Sequence, residues 1–227
     1  MSVYQDTCEK AFDIHCEGPL QARFNENNSI LYILCVECLI IFNCLTKQRQ
    51  EIEIPDGRLL EVSIDGHFVG IGGRNLITYD TQTKSFGECG DGAPQALGFS
   101  FLVNGLVATS VGSSITLWNA AENNSLVHVF SDSHSAEITG VCFSPNNRYL
   151  MCSCGLDSKV TLYDVEKRTI LKRFTTAYPP RSISFKPDGV TVAIIGDQIA
   201  LQSLRQNEPS HLFPINATKA LFHVTTL

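Results

Sequence analysis

The sequence predicts an all-β chain of the propeller type, built from about five four-stranded blades. Three observations carry this. Apolar and polar residues alternate along most of the length, and no extended stretch reads as an amphipathic helix. A short strand motif returns at intervals of roughly 40 residues. Turn residues cut each interval into four strand-like runs.

The motif is clearest as SKVTLYDV (158–165). It returns as SSITLWNA (113–120), RNLITYDT (74–81), ECLIIFNC (37–44) and, more weakly, DQIALQSL (197–204). The aligned positions are Phe42, Tyr79, Trp118, Tyr163 and Gln202, each followed by Asn, Asp or Ser. A purely β unit of this length cannot bury both its faces alone, and stacking with its neighbours does so. In the clearest unit the four runs are EITGVCFSP (137–145), RYLMCSCG (148–155), KVTLYDV (159–165) and TILKRFT (169–175). PNN, LDS and EKR separate them, and KPDG and VNG fill the PNN slot in the neighbouring units.

These repeats predict one domain over residues 1–227, with blades at about 18–57, 58–92, 93–133, 134–177 and 178–216. CEKAFDIH (8–15) reads as an outermost strand and ATKALFHVTTL (217–227) as an innermost one. A seven-bladed ring needs about 290 residues, so the expectation is an incomplete or truncated seven-bladed type. LYILCVECLIIF (31–42) reads as the second and third strands of the first blade. It is too short for a membrane helix, which needs roughly 20 residues, and it contains Glu37.

Composition narrows the function classes. The 227 residues are 44% hydrophobic and 18% charged, with a mean hydropathy of +0.04, which is a globular rather than a disordered balance. Net charge is −6 and no Lys/Arg block is present. Neither a nucleic-acid footprint nor a polybasic membrane patch is expected. The start lacks the basic-then-apolar pattern of a signal peptide. The expectation is therefore a cytoplasmic chain whose nine cysteines are free core thiols. Cys35 and Cys38, in CVEC, have the spacing of half a zinc site. Cys152 and Cys154 have the wrong spacing for the other half, so no metal and no cofactor are expected.

The unit at 134–174 resembles a WD repeat. That family carries a His before the first strand, a Ser on the second, an Asp in the next turn and a Trp on the third. Here those slots hold His134, Ser153, Asp157 and Tyr163, and the resemblance implies a hydrogen-bonded chain among them. The other copies lack most of the set. The same residues invite a Ser–His–Asp triad reading. A nucleophilic Ser needs an exposed hydroxyl beside an oxyanion site, whereas Ser153 falls on a strand expected to lie inside the stack. The six His share no slot in the repeat, which speaks against a metal-dependent propeller hydrolase.

From about Phe101 to Ile195 the sequence is similar to the centrosomal GCP-WD family, through FSDSH, GVCFSPNN, GLDSKVTLYD and FKPDGVTVAI. The resemblance implies a non-catalytic protein-interaction scaffold targeted to the centrosome or spindle pole. Its implied partners are centrosomal or γ-tubulin complex components, with a role in microtubule organisation. In that family a helical segment after the propeller carries γ-tubulin-complex binding, and nothing in this sequence corresponds to it. The alternative is a generic scaffold of another complex, such as one in trafficking. For docking, the turns after the second strands nominate Arg74, Asn75, Ser113 and Ser158.

Overall fold

The computed structural model describes residues 2–4, 10–90, 92–205 and 211–213, with side chains from 13 to 205 apart from residue 91. Five antiparallel four-stranded sheets follow one another along the chain. The first holds β3 (Pro19–Phe24), β4 (Ile30–Cys35), β5 (Cys38–Asn43) and β6 (Arg49–Glu53). The second holds β7 (Leu59–Val62), β8 (Phe68–Gly72), β9 (Leu76–Asp80) and β10 (Phe86–Cys89). The third holds β11 (Ala96–Phe99), β12 (Leu106–Val111), β13 (Ser114–Asn119) and β14 (Ser125–Phe130), with a 3-10 turn at Ala120–Glu122. The fourth holds β15 (Ile138–Phe143), β16 (Leu150–Gly155), β17 (Lys159–Asp164) and β18 (Thr169–Thr175). The fifth holds β19 (Ser182–Phe185), β20 (Thr191–Ile195), β21 (Ile199–Ser203) and β22 (His211–Phe213).

Each sheet is a meander in chain order, and the first strands β3, β7, β11, β15 and β19 pack successively against one another. Among the described residues no comparable packing joins β19 to β3. This is the blade arrangement of a propeller. At the start of the chain CEKAFDIH supplies β2 (Lys10–Asp13), which pairs with β1 (Ser2–Tyr4) in a separate two-stranded sheet. ATKALFHVTTL lies outside the described residues.

Period-2 alternation places each second strand between two apolar clusters. On β4, Tyr32 and Leu34 join Leu60, Val69, Ile71 and Tyr79 between the first and second sheets. Leu31, Ile33 and Cys35 face the other way, with Ile14, Ile40 and Phe42. On β16, Met151 points to the third sheet with Phe130 and Tyr163, while Cys152 and Cys154 point to the fifth with Ile183 and Val192. Strands apolar on both faces result, which is why LYILCVECLIIF reads as a continuous run.

The polar residue after each repeated aromatic position has a local cause. Asn43 Oδ1 accepts the N–H groups of Leu45 and Thr46, each at 2.9 Å. Asp80 Oδ1 accepts those of Gln82 and Thr83 at 2.8 and 3.0 Å. Asn119 does the same for Ala121 at 3.1 Å, and Asp164 for Lys167 at 2.9 Å. A short side-chain acceptor thus closes the turn into the fourth strand. Further along these turns Lys47, Lys84, Asn123 and Arg168 take positive φ.

Candidate functional site

The four polar residues of the fourth blade meet at its joint with the third. His134 Nδ1 lies 2.9 Å from Asp157 Oδ1, and His134 Nε2 lies 2.7 Å from Ser153 Oγ. Ser153 Oγ lies 2.8 Å from Tyr163 Oη. The His134 and Asp157 side chains are 0% and 4% exposed, and Ser153 is fully buried. Four elements deliver these groups. His134 comes from the link entering β15, Ser153 from β16, and Asp157 from the β16–β17 turn. Tyr163 on β17 packs against Phe130, the rings tilted with centroids 4.8 Å apart.

Electrostatics fixes the direction of the chain. Burial pushes the His134 imidazole below its ordinary range, opposed by its hydrogen bond to Asp157. Burial also works to raise the Asp157 carboxyl. The N–H of Ser135 (3.0 Å), His134 and the N–H of Lys159 (3.1 Å) outweigh it, and the carboxyl is held below its ordinary range. With Asp157 ionised and the imidazole neutral, Nδ1–H donates to the carboxylate and Nε2 accepts. Ser153 then donates to Nε2, and the Tyr163 hydroxyl donates to Ser153. Gly155 is required beside it. A Cβ there would lie 2.9 Å from the Glu137 carbonyl and 3.0 Å from His134 Nδ1.

These distances are also those of a hydrolytic triad. Ser153 Oγ, however, has no exposed surface and already accepts from Tyr163. A substrate has no approach to it, so the geometry works as a closed polar network.

The third blade carries half of this chain. Trp118 sits at the Tyr163 position, and its Nε1–H donates to Thr109 Oγ1 at 3.0 Å. Thr109 takes the Ser153 place by register, since Thr109 faces Thr116 as Ser153 faces Thr161. No His enters from the link 90–95, and Gly112 and Ser113 form the turn where the fourth blade has Asp157. The space stays open as a groove of about 220 Å³, lined by Trp118, Leu76, Pro94, Val111, Leu126 and Val129. In the first, second and fifth blades the Ser153 position is Ile33, Ile71 and Ile194, all apolar.

The turn residues nominated for docking lie on one rim, because every turn between second and third strands leaves the sheet at the same end as the links between blades. Arg74 Nε pairs with Asp56 Oδ2 of the first link at 2.9 Å, its side chain 86% exposed. Asn75 Nδ2 donates to Glu88 Oε1 at 2.6 Å. The Ser113 carbonyl accepts the His134 N–H at 3.2 Å, and the Ser158 carbonyl accepts the Thr176 N–H at 2.8 Å. Links and turns are thereby tied into a rigid surface. Sequence reasoning missed its apolar members. Val36, Val111, Leu156 and Tyr178 stand on this rim with 42–53% exposure. The available signal was an apolar residue in a turn where polar ones prevail.

The thiols of Cys35 and Cys38 flank the Val36–Glu37 turn. Burial, then Cys38 and Cys16, push the Cys35 thiol up to about 12. Among the described residues no group of three His, Cys, Asp or Glu side chains is arranged to hold a metal ion. No helix among them is long and apolar enough to cross a membrane.

Residues 124–164 match the family described as WD domain, G-beta repeat. The chain contains a WD repeat, which runs from the last strand of the third blade through the third strand of the fourth. The match takes in His134, Ser153, Asp157 and Tyr163, all four members of the polar chain. The solved structure of U3-55K superposes on the WD40 blades with a TM-score of 0.73 at 16% identity. It covers 89% of this chain and 66% of that one, a likeness of fold. The chain is 31% identical to mouse protein NEDD1 over 119 residues, which is 52% of this chain and 18% of that protein. Human protein NEDD1 is 31% identical over 152 residues, 66% of this chain and 22% of that protein. The match thus spans about a fifth of the length of these relatives.

Proposed function

We propose that this chain is a non-catalytic protein-interaction scaffold that docks partners on the rim of links and second-to-third-strand turns. We further propose that its partners are centrosomal or γ-tubulin complex components, with a spindle-pole location and a role in microtubule organisation. The similarity to protein NEDD1 supports this finer reading, together with the GCP-WD motifs. The observation that carries the scaffold is the rim itself. It sets exposed Val36, Val111, Leu156 and Tyr178 beside Arg74, Asn75, Ser113 and Ser158, on turns held by link-to-turn hydrogen bonds. Apolar anchors surrounded by polar groups on a rigid support are what a protein interface uses. Within the blade, His134, Ser153, Asp157 and Tyr163 act as a latch that holds the link to its sheet.

The test is a tagged full-length chain in dividing cells, followed by affinity capture and imaging. Spindle-pole signal with recovery of γ-tubulin complex components is the expected result. Leu156→Asp combined with Val111→Asp should abolish capture while leaving the unfolding midpoint within about 0.5 kcal/mol of the parent. Diffuse signal with no such partner rejects the centrosomal reading. Capture that survives the double variant rejects the rim.

A further inference from the structure

We propose that Cys142 and Cys152 form a redox-responsive dithiol that closes to a disulfide, stapling the two inner strands of the fourth blade. The register places the two residues directly opposite one another on β15 and β16. Their sulfurs are 3.4 Å apart in a thiol–thiol hydrogen bond. Directly opposed residues of an antiparallel pair have Cα atoms about 4.5–5.5 Å apart, inside the range a disulfide spans. Closing the bond, of about 2.0 Å, asks for side-chain rotation rather than strand movement.

The two thiols differ in access. Cys142 is half-buried on the innermost strand and Cys152 is fully buried, where burial holds its thiol well up. Cys142 is therefore the sulfur an oxidant meets first. Cys154 shares the face but is engaged elsewhere. Its sulfur lies 3.4 Å from Thr139 Oγ1, which donates to the Pro180 carbonyl at 2.6 Å. The oxidant class is a hydroperoxide. The Cys142 thiolate attacks the peroxide oxygen, forming the sulfenic acid and releasing water. The Cys152 sulfur then attacks the Cys142 sulfur, and the hydroxyl leaves as a second water. Two thiols and one hydrogen peroxide give one disulfide and two waters, with two electrons passing from sulfur to peroxide. The loop so closed carries Ser144 and Asn146. Ser144 Oγ donates to the Gly189 carbonyl at 3.2 Å, and Asn146 Nδ2 to that of Pro187 at 3.3 Å. The staple therefore stiffens the contact with the fifth blade.

The reduced full-length chain is titrated with hydrogen peroxide, alkylated and mapped by non-reducing peptide mass spectrometry. The expected first product has lost two hydrogens, about 2 Da, and carries the 142–152 bridge. Cys154→Ser should keep that bridge and Cys152→Ser should lose it. If Cys152→Ser does not fold, Cys142→Ser at the half-buried position gives the same readout. A first bridge at Cys16, Cys35 or Cys38 overturns the proposal. So does passage straight to sulfinic acid at Cys142 without a bridge.

Discussion

The third and fourth blades present the same backbone positions with opposite results at their joints. In the fourth, a His from the link and an Asp from the turn complete the Ser153–Tyr163 pair, and the joint is closed. In the third, Thr109 and Trp118 make the corresponding pair, but among the described residues neither link nor turn supplies a His or an acid. A larger aromatic does not compensate. Trp118 remains half-buried above an open groove, whereas the smaller Tyr163 is fully buried. What seals the fourth joint is an imidazole and a carboxylate acting together. In the third the link meets the second strand and its turn through Gln95, whose N–H donates to the Ser110 carbonyl at 3.0 Å and whose Oε1 accepts the Gly112 N–H at 2.9 Å.

The strongest way to break this contrast is Tyr163→Ala. It removes a fully buried ring from the joint with Phe130 and should cost about 3–5 kcal/mol. Asp157→Ala comes next. It leaves His134 Nδ1–H and the N–H groups of Ser135 and Lys159 without their acceptor, a loss of about 1–3 kcal/mol. Both are read as shifts in denaturant midpoint. An unchanged midpoint for Asp157→Ala would remove the latch from the account.

The repeat was legible because its causes are local. Period-2 patterning marks strands, and the capping Asn43, Asp80, Asn119 and Asp164 mark where each third strand ends. The neighbourhood of His134, Ser153, Asp157 and Tyr163 was implied by the resemblance of their unit to a WD repeat. The open groove was not. Its walls come from two blades, and Trp118 reads as an ordinary member of the aromatic series until Thr109 is placed opposite by register. The Cys142–Cys152 contact was hidden for the same reason, since nine scattered cysteines become a pair only once β15 and β16 are aligned.

Acid should separate the two joints. The folded Asp157 carboxyl titrates below its ordinary value near 3.8, so its stabilisation is present above that value and is lost as pH falls through the folded one. The folded His134 also titrates below its ordinary value near 6.5, chiefly through burial. The unfolded chain takes up that proton first, so stability already declines as pH drops from about 6.5. Both groups act with the same sign. Neither Thr109 nor Trp118 titrates in this range. Amide protection in β16 and β17, taken relative to the intrinsic exchange rate at each pH, should therefore fall from about pH 6.5 downward, while the emission of Trp118 holds. Trp118 is the single tryptophan, so its fluorescence reports the third-blade joint alone. Emission that shifts in step with β16 exchange would mean that the two joints are not independent.

The smallest effect gives the finest comparison. Trp118→Phe and Tyr163→Phe each remove one donor and keep a ring. In the third blade the Thr109 hydroxyl borders the groove, and water replaces the lost indole N–H. In the fourth, Ser153 is fully buried and its oxygen loses a donor that water cannot replace. Trp118→Phe should then cost about 0.5 kcal/mol and Tyr163→Phe about 1–2 kcal/mol, because an unsatisfied buried group costs more than an exposed one. Thermal midpoints of the two variants, measured under identical conditions, decide the matter. If Trp118→Phe is the more damaging, the groove is drier than its lining suggests, and the indole rather than the missing acceptor governs the third joint.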